Sequence, residues 1–238
     1  MTYDAPAVIR AESEAFLAAA RAGLDVDVPT CPGWQLRDLV AHLGGVYDFR
    51  GRNVLRGTVD RPPPDDRRLP DRSDPDLLAW FADGVDRLLC NLGQLPPDAP
   101  AHNFARHTPQ VVAFWPRRMA LETAVHRWDA QLAHHDAHGF DLAVAVDGID
   151  EVLTVMRPAG LTRTPLEVSG VVSVRLTDSA TSWTLRLTPT AISPSVDPPD
   201  AELAGTSSAV LLALWGRAPL SSLSLDGDES LLAALPTG

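Results

Sequence analysis

No lysine occurs in the 238-residue sequence, and all twenty basic residues are arginine. That absence excludes a Schiff-base lysine for pyridoxal phosphate, a phosphate-loop lysine and a lysine general base. Cysteine is scarce as well. Cys31 and Cys90 are too few for a disulfide framework or a thiolate metal cage. Positive charge is in deficit, with a formal net charge of −11, whereas a surface that binds nucleic acid must be basic. No apolar run approaches the roughly 18 residues of a membrane span. The first residues lack the basic and then apolar pattern of an export signal, so the expected location is the cytoplasm, with no membrane partner. Histidine is absent beyond position 138: all seven lie between positions 42 and 138. Imidazole chemistry, if present, belongs to the first half.

What is present suffices for a buried core, since 45% of the residues are apolar, and the length fits one large or two modest domains. The first half reads as helices. Residues 6–22 are rich in Ala, Leu and Glu, and Gly23, Pro29 and Pro32 end that element. A second helix follows Pro32-Gly33-Trp34 and runs toward Gly57, and residues 58–73 carry the prolines and mixed charges of a surface loop. Ser73 or Asp74 can cap a third helix with Pro75 in its first turn and an apolar stripe from Leu77 to Leu92. A fourth helix carries Glu122 and His126 and fades near His138-Gly139. Four helices with long connections suggest a bundle, a scaffold that builds metal sites from inward-facing side chains.

The period then changes. Residues 142–156 look helical, but Val172, Val174 and Leu176 alternate with polar residues, as do Trp183, Leu185 and Leu187. The Asp178-Ser-Ala-Thr181 connection makes these two strands a hairpin. A helix over 207–215, a short strand at 223–225 and a final helix from Asp228 complete a small α+β unit. The expected fold class is therefore α+β, with a helical domain over 1–140 and a small α+β domain over 141–238.

Glu122 and His126 stand one helical turn apart, so carboxylate and imidazole share a face and can grip one ion. His42 lies among Leu36, Leu39, Val40 and Leu43, on or beside the apolar side of the second helix. Two histidines and a glutamate make a three-ligand site of the kind that binds zinc and leaves one coordination position open. His134 lies ~12 Å along the helix from His126, too far to share the ion. His134, His135 and His138 read better as helix-end cations. His102 and His107 fall in a loop and are expected at the surface. Asp38 and Asp129 can each accept the free ring proton of a ligand histidine, or form solvated salt bridges instead. Cys31, in Thr-Cys-Pro-Gly-Trp, fits turn and packing better than nucleophilic catalysis. Trp34 and Trp128 read as core aromatics near the site.

Three stretches together resemble a known family. Val28-Pro-Thr-Cys-Pro-Gly-Trp-Gln-Leu-Arg-Asp-Leu-Val-Ala-His-Leu-Gly44, Phe114-Trp-Pro-Arg-Arg and Glu122-Thr-Ala-Val-His-Arg-Trp-Asp129 look like the mycothiol-dependent maleylpyruvate isomerase family of actinobacteria. Leu214-Trp-Gly-Arg217 looks like that family's smaller domain, so the similarity spans nearly the whole chain. The resemblance implies a DinB-like four-helix bundle followed by a sterol-carrier-like domain, with metal ligands at His42, Glu122 and His126. Pro116 departs from the family pattern by standing in the middle of the Phe-Trp-Arg-Arg motif, and should start or kink the fourth helix. Arg217 can cap its own helix or reach an interdomain cleft and bind a carboxylate through its forked guanidinium, and the resemblance favours the cleft and a cofactor-binding role.

The function so implied is that of a metal-dependent thiol enzyme. A divalent metal, zinc by ligand type, would stabilise the thiolate of mycothiol, a low-molecular-weight thiol, for attack on a small-molecule substrate. The reaction would be isomerisation of an unsaturated keto acid such as maleylpyruvate, or S-transfer to an electrophile. Two alternatives stay open at this stage. One is a hydrolase using metal-bound water, with Asp38, Asp129 or His107 as guesses for its base. The other is a non-enzymatic metal-containing protein that binds an apolar ligand.

Overall fold

The computed structural model describes residues 3–63, 71 and 75–237. The chain divides into two compact units. The first comprises Met1–Asn103 and Pro109–Gly139, and the second comprises Phe104–Thr108 and Phe140–Gly238. The fold is α+β.

The first unit is a bundle of α1 (Ala5–Ala22), α2 (Leu36–Val54), α3 (Leu77–Leu92) and α4 (Phe114–Ala133). Helix α1 packs on α4 and α3, and α2 packs on α3 and α4. Its core joins Ile9 and Phe16 to Leu39, Leu43, Tyr47, Phe81, Leu88, Trp115 and Met119. Each helix starts and stops for a local reason. Asp4 caps α1 through a side-chain bond to the Ala7 N–H, and Gln35 and Asp38 form a capping box at α2. Helix α3 begins at Leu77, two residues after Pro75 rather than around it, with Asp76 at the cap. Ser73 and Asp74, the caps expected from sequence, lie outside the described residues, as do residues 64–70 of the expected loop.

Pro116 is the third residue of α4, where the missing N–H costs nothing because the first helical N–H groups have no intrahelical acceptor. The proline therefore starts this helix. Its end comes earlier than the sequence suggests. His135 takes a left-handed backbone conformation at φ 58°, its N–H donates to Leu132 O at 2.9 Å, and the Asp136 N–H donates to Gln131 O at 3.0 Å. Such a paired closure terminates a helix, and histidine enters that conformation more readily than most residues.

In the second unit, α5 (Leu142–Glu151) runs through a π-helical stretch, Val152–Met156, into α6 (Arg157–Gly160). Pro158 explains the wider turn: in a regular helix its ring would press on the Thr154 carbonyl four residues back, which it cannot hydrogen-bond. A five-stranded sheet follows, built of β1 (Gly170–Leu176), β2 (Ser182–Thr188), β3 (Ala191–Pro194), β4 (Ala201–Gly205) and β5 (Ser224–Gly227). The order is β3-β2-β1-β4-β5, with β1 and β4 parallel and the other pairs antiparallel. The β1–β2 hairpin is present, with Val174 opposite Trp183. Strands β3 and β4 are additions to the sequence reading. Helix α7 (Ser207–Leu214) packs on β4 and α5, and the short α8 (Glu229–Leu232) packs on β4 and β1.

Candidate metal centre

Helices α2 and α4 bring together His42, Glu122 and His126. One ligand atom from each lies within 4.8 Å of the others, inside the first unit. The two imidazoles meet edge to face with ring centroids 5.3 Å apart, and His126 Nε2 lies 3.5 Å from Glu122 Oε1. Two imidazole nitrogens and a carboxylate oxygen form a donor set suited to zinc and, by the same chemistry, to nickel, cobalt or iron. Donors of a tetrahedral site at zinc distances stand about 3.3 Å apart, so side-chain rotations that close the group by about 1.5 Å would suffice. The residues fit a cation.

The aim of His126 is fixed from behind. Its Nδ1 lies 3.0 Å from Asp129 Oδ2, and Asp129 is 0% exposed. An ionised carboxylate only accepts, so Nδ1 carries the proton and Nε2 is the nitrogen turned toward Glu122. Thr30 Oγ1 donates in turn to Asp129 Oδ1 at 2.6 Å. Thr30 is placed by two successive tight turns, in which the Cys31 N–H donates to Val28 O at 2.9 Å and the Trp34 N–H donates to Cys31 O at 3.0 Å. In the second, Pro32 supplies a fixed φ and Gly33 the positive φ of 81° that the fourth-residue hydrogen bond requires. The same turn sets the Trp34 ring 5.1 Å from that of His42. The Thr-Cys-Pro-Gly-Trp motif thus supports both histidines, one through Thr30 and Asp129 and the other through Trp34.

Arg118, 3% exposed, is ion-paired with Glu122 one turn away. Burial pushes the Glu122 carboxyl up, but Arg118 and His126 together outweigh it and hold it well below the usual range. Burial acts against a charge on His126, yet hydrogen bonds and charge from Asp129 and Glu122 raise its pKa to about 9. In the metal-free chain Arg118, Glu122, His126 and Asp129 therefore form a buried set of balanced charge.

The model of the mycothiol maleylpyruvate isomerase N-terminal domain matches residues 7–131, and that of the MDMPI C-terminal domain matches residues 143–234. The chain belongs to the mycothiol maleylpyruvate isomerase family. No curated protein matches it in sequence. Crystal structures of the mycothiol-dependent maleylpyruvate isomerase and of its histidine-to-alanine mutant share the fold, at 14% and 13% identity and TM-scores of 0.61 and 0.63. Each alignment covers 94% of this chain and 92% of the other.

The structure brings His42, Glu122 and His126, the residues expected as ligands from spacing and resemblance, close to one another. Asp129 and Asp38 separate in role. Asp129 holds His126, whereas Asp38 Oδ2 accepts the Gln35 N–H at 2.9 Å to close the capping box of α2. Cys31 and Cys90 form no disulfide. His102 is half-buried rather than exposed, and its carbonyl accepts the Trp115 indole N–H at 3.2 Å. His107 is exposed and belongs to the second unit. Arg217 Nη1 donates to the Trp215 carbonyl at 3.1 Å, a bond to the end of its own helix. Sequence reasoning missed Arg118 and Thr30. The i,i+4 spacing of Arg118 and Glu122 was visible, but such pairs are common on solvated faces, and nothing local says that this one is buried. Thr30 had no local signal, because it lies 99 residues from the carboxylate it serves.

Proposed function

We propose that this chain is a metal-dependent thiol enzyme. It uses mycothiol, or a thiol of the same kind, either to isomerise an unsaturated keto acid or to transfer sulfur to an electrophilic carbon. The convergence of His42, Glu122 and His126, in a chain whose two halves both match that family, carries this reading. A divalent cation bound there, zinc by preference of the ligands, supplies Lewis acidity that lowers the pKa of a thiol or water.

The protein's own groups set the conditions. Asp129 keeps the Nδ1 proton of His126 so that Nε2 is offered as a lone-pair donor, and Arg118 keeps Glu122 ionised. With neutral imidazoles and a divalent cation, the buried set of Arg118, Glu122 and Asp129 has one positive charge in excess. An anionic ligand from outside restores balance, which favours a thiolate over a neutral donor. In isomerisation, the substrate's conjugated double bond becomes single while sulfur is attached, rotates, and is restored as sulfur departs. In transfer the carbon–sulfur bond persists, and the displaced electron pair either departs with a leaving group or, after addition to a double bond, takes up a proton. Neither route needs an oxidant.

Arg217 belongs to the proposal as the residue that binds a carboxylate of the thiol or substrate. Arg217→Ala should weaken thiol or substrate binding at normal metal content. A loss of thermal stability alone would confine Arg217 to its helix end.

The deciding experiment loads the protein with cobalt and titrates it with mycothiol, followed by assays on unsaturated keto acids and electrophiles with and without the thiol. A changed visible spectrum together with thiol-dependent turnover supports the proposal. An unchanged spectrum, or thiol-independent hydrolysis of esters or amides, counts against it.

A further inference from the structure

The second unit contains a cavity of about 520 Å³ whose walls come from three separate parts of the chain. Phe104, Arg106 and His107 line it from the strap Phe104–Thr108, Pro158 and Ala159 from α6, and Ile192 from the edge strand β3, with further lining from the adjoining turns. Its size lies within the range of small-molecule sites.

Pro158 builds this cavity through what it lacks. In a regular helix the Thr154 carbonyl would accept the N–H of residue 158, and proline has none. His107 takes that place, its Nε2 lying 3.0 Å from Thr154 O. A carbonyl can only accept, so Nε2 carries the proton and the ring is held in one tautomer. This bond ties the strap to the π-helical stretch, and π-bulges recur at functional sites. The neighbouring Ala105 is fully buried and anchors the strap, while Phe104 is exposed at 36%.

The wall chemistry is of two kinds. Phe104, Pro158, Ala159 and Ile192 offer an apolar surface, and Arg106 is the cation, exposed and making no ion pair or hydrogen bond among the described residues. A guanidinium over an apolar wall suits a planar carboxylate, which it can grip with two parallel N–H bonds. A dianionic phosphate fits less well, since one guanidinium would face two charges on a molecule of net charge −11.

We propose that this cavity, which shares no lining residue with the candidate metal centre, is a second small-molecule site that takes a monocarboxylate on a flat apolar body, with Arg106 holding the carboxylate. The test uses 4-fluorobenzoate followed by ¹⁹F NMR on the full chain, stripped of metal by a chelator so that the metal centre cannot supply the binding. Saturable binding to one site is expected. Arg106→Gln should weaken it by about tenfold or more. Ala191→Trp, which fills the cavity from the exposed strand edge, should abolish it. The uncharged 4-fluorobenzyl alcohol should bind more weakly and be indifferent to Arg106→Gln. Arg217→Ala should leave 4-fluorobenzoate binding unchanged. No saturable binding, equal binding to wild type and Arg106→Gln, or binding lost in Arg217→Ala would each overturn the assignment. Both surface variants keep the core intact, so their circular dichroism should match that of the wild type.

Discussion

Asp129, fully buried on α4, accepts the Nδ1 proton of His126 one turn before it at 3.0 Å. This contact fixes which nitrogen of His126, a candidate metal ligand, faces Glu122. Asp129→Ala should lower affinity for zinc or cobalt by about 10- to 100-fold, the usual loss when the partner of a ligand histidine is removed. Competition with a chromophoric chelator measures it. Thr30→Val, which removes the next bond in the chain, should have a smaller effect in the same direction. Normal affinity in Asp129→Ala would show that His126 needs no such support.

Arg118 is buried beside the carboxylate it neutralises. Arg118→Met should destabilise the metal-free protein by about 3–5 kcal/mol, because the buried set of Glu122, His126 and Asp129 is left with one negative charge in excess. Adding zinc should recover part of that loss, since the cation takes over the neutralising role. Urea unfolding of both variants with and without zinc gives the comparison. Equal destabilisation in the two conditions would argue that no cation reaches Glu122.

Gly44 lies two residues after His42, where α2 and α3 approach closely. A Cβ there would stand 2.2 Å from the Trp80 ring. Gly44→Ala should therefore cost about 1–3 kcal/mol as the helices are pushed apart. It should also weaken metal binding by displacing His42. The paired measurement of denaturation midpoint and metal retention distinguishes this from a local accommodation by Trp80, which would lower neither.

The hydroxyl of Tyr47 lies 3.1 Å from Ser13 Oγ and 2.6 Å from Thr123 Oγ1 in the bundle core. Burial pushes its phenol well above the usual range, despite the two hydrogen bonds that favour ionisation. The sign follows from the protons bound. Stability is unaffected below pH 10, the ordinary tyrosine value, and falls above it because only the unfolded chain loses this proton. The slope approaches about 1.4 kcal/mol per pH unit. With no lysine to titrate, this limb is unusually clean, since two tyrosines and two cysteines are the main alkaline side chains. Tyr47→Phe should lower stability at neutral pH by about 1 kcal/mol and flatten the alkaline slope. An unaltered slope would assign it elsewhere.

The bundle was legible because its signals are local. The stripe from Leu77 to Leu92, the one-turn spacing of Glu122 and His126, and the setting of His42 on α2 can all be read within a few turns of chain. The sheet was legible only where strands alternate cleanly, as in β1 and β2. Strand β3 is four residues at an edge, and β4 is a buried strand lying parallel to β1, so neither carries an alternation long enough to recognise. The end of α4 was misplaced because it depends on His135 entering a left-handed conformation, which no glycine announces. Arg118 and Thr30 were missed for a related reason. Their importance comes from burial and from partners brought near by folding, and spacing reports neither.

Pro158 has one more consequence. By leaving a carbonyl for His107, it lets the second unit claim five residues, Phe104–Thr108, from the middle of the first unit's sequence. The two halves are therefore interleaved along the chain. A fragment beginning at Phe140 would lack part of its own wall, so dissection by truncation would yield an incomplete piece, and a functional split of this protein must carry the strap across with it.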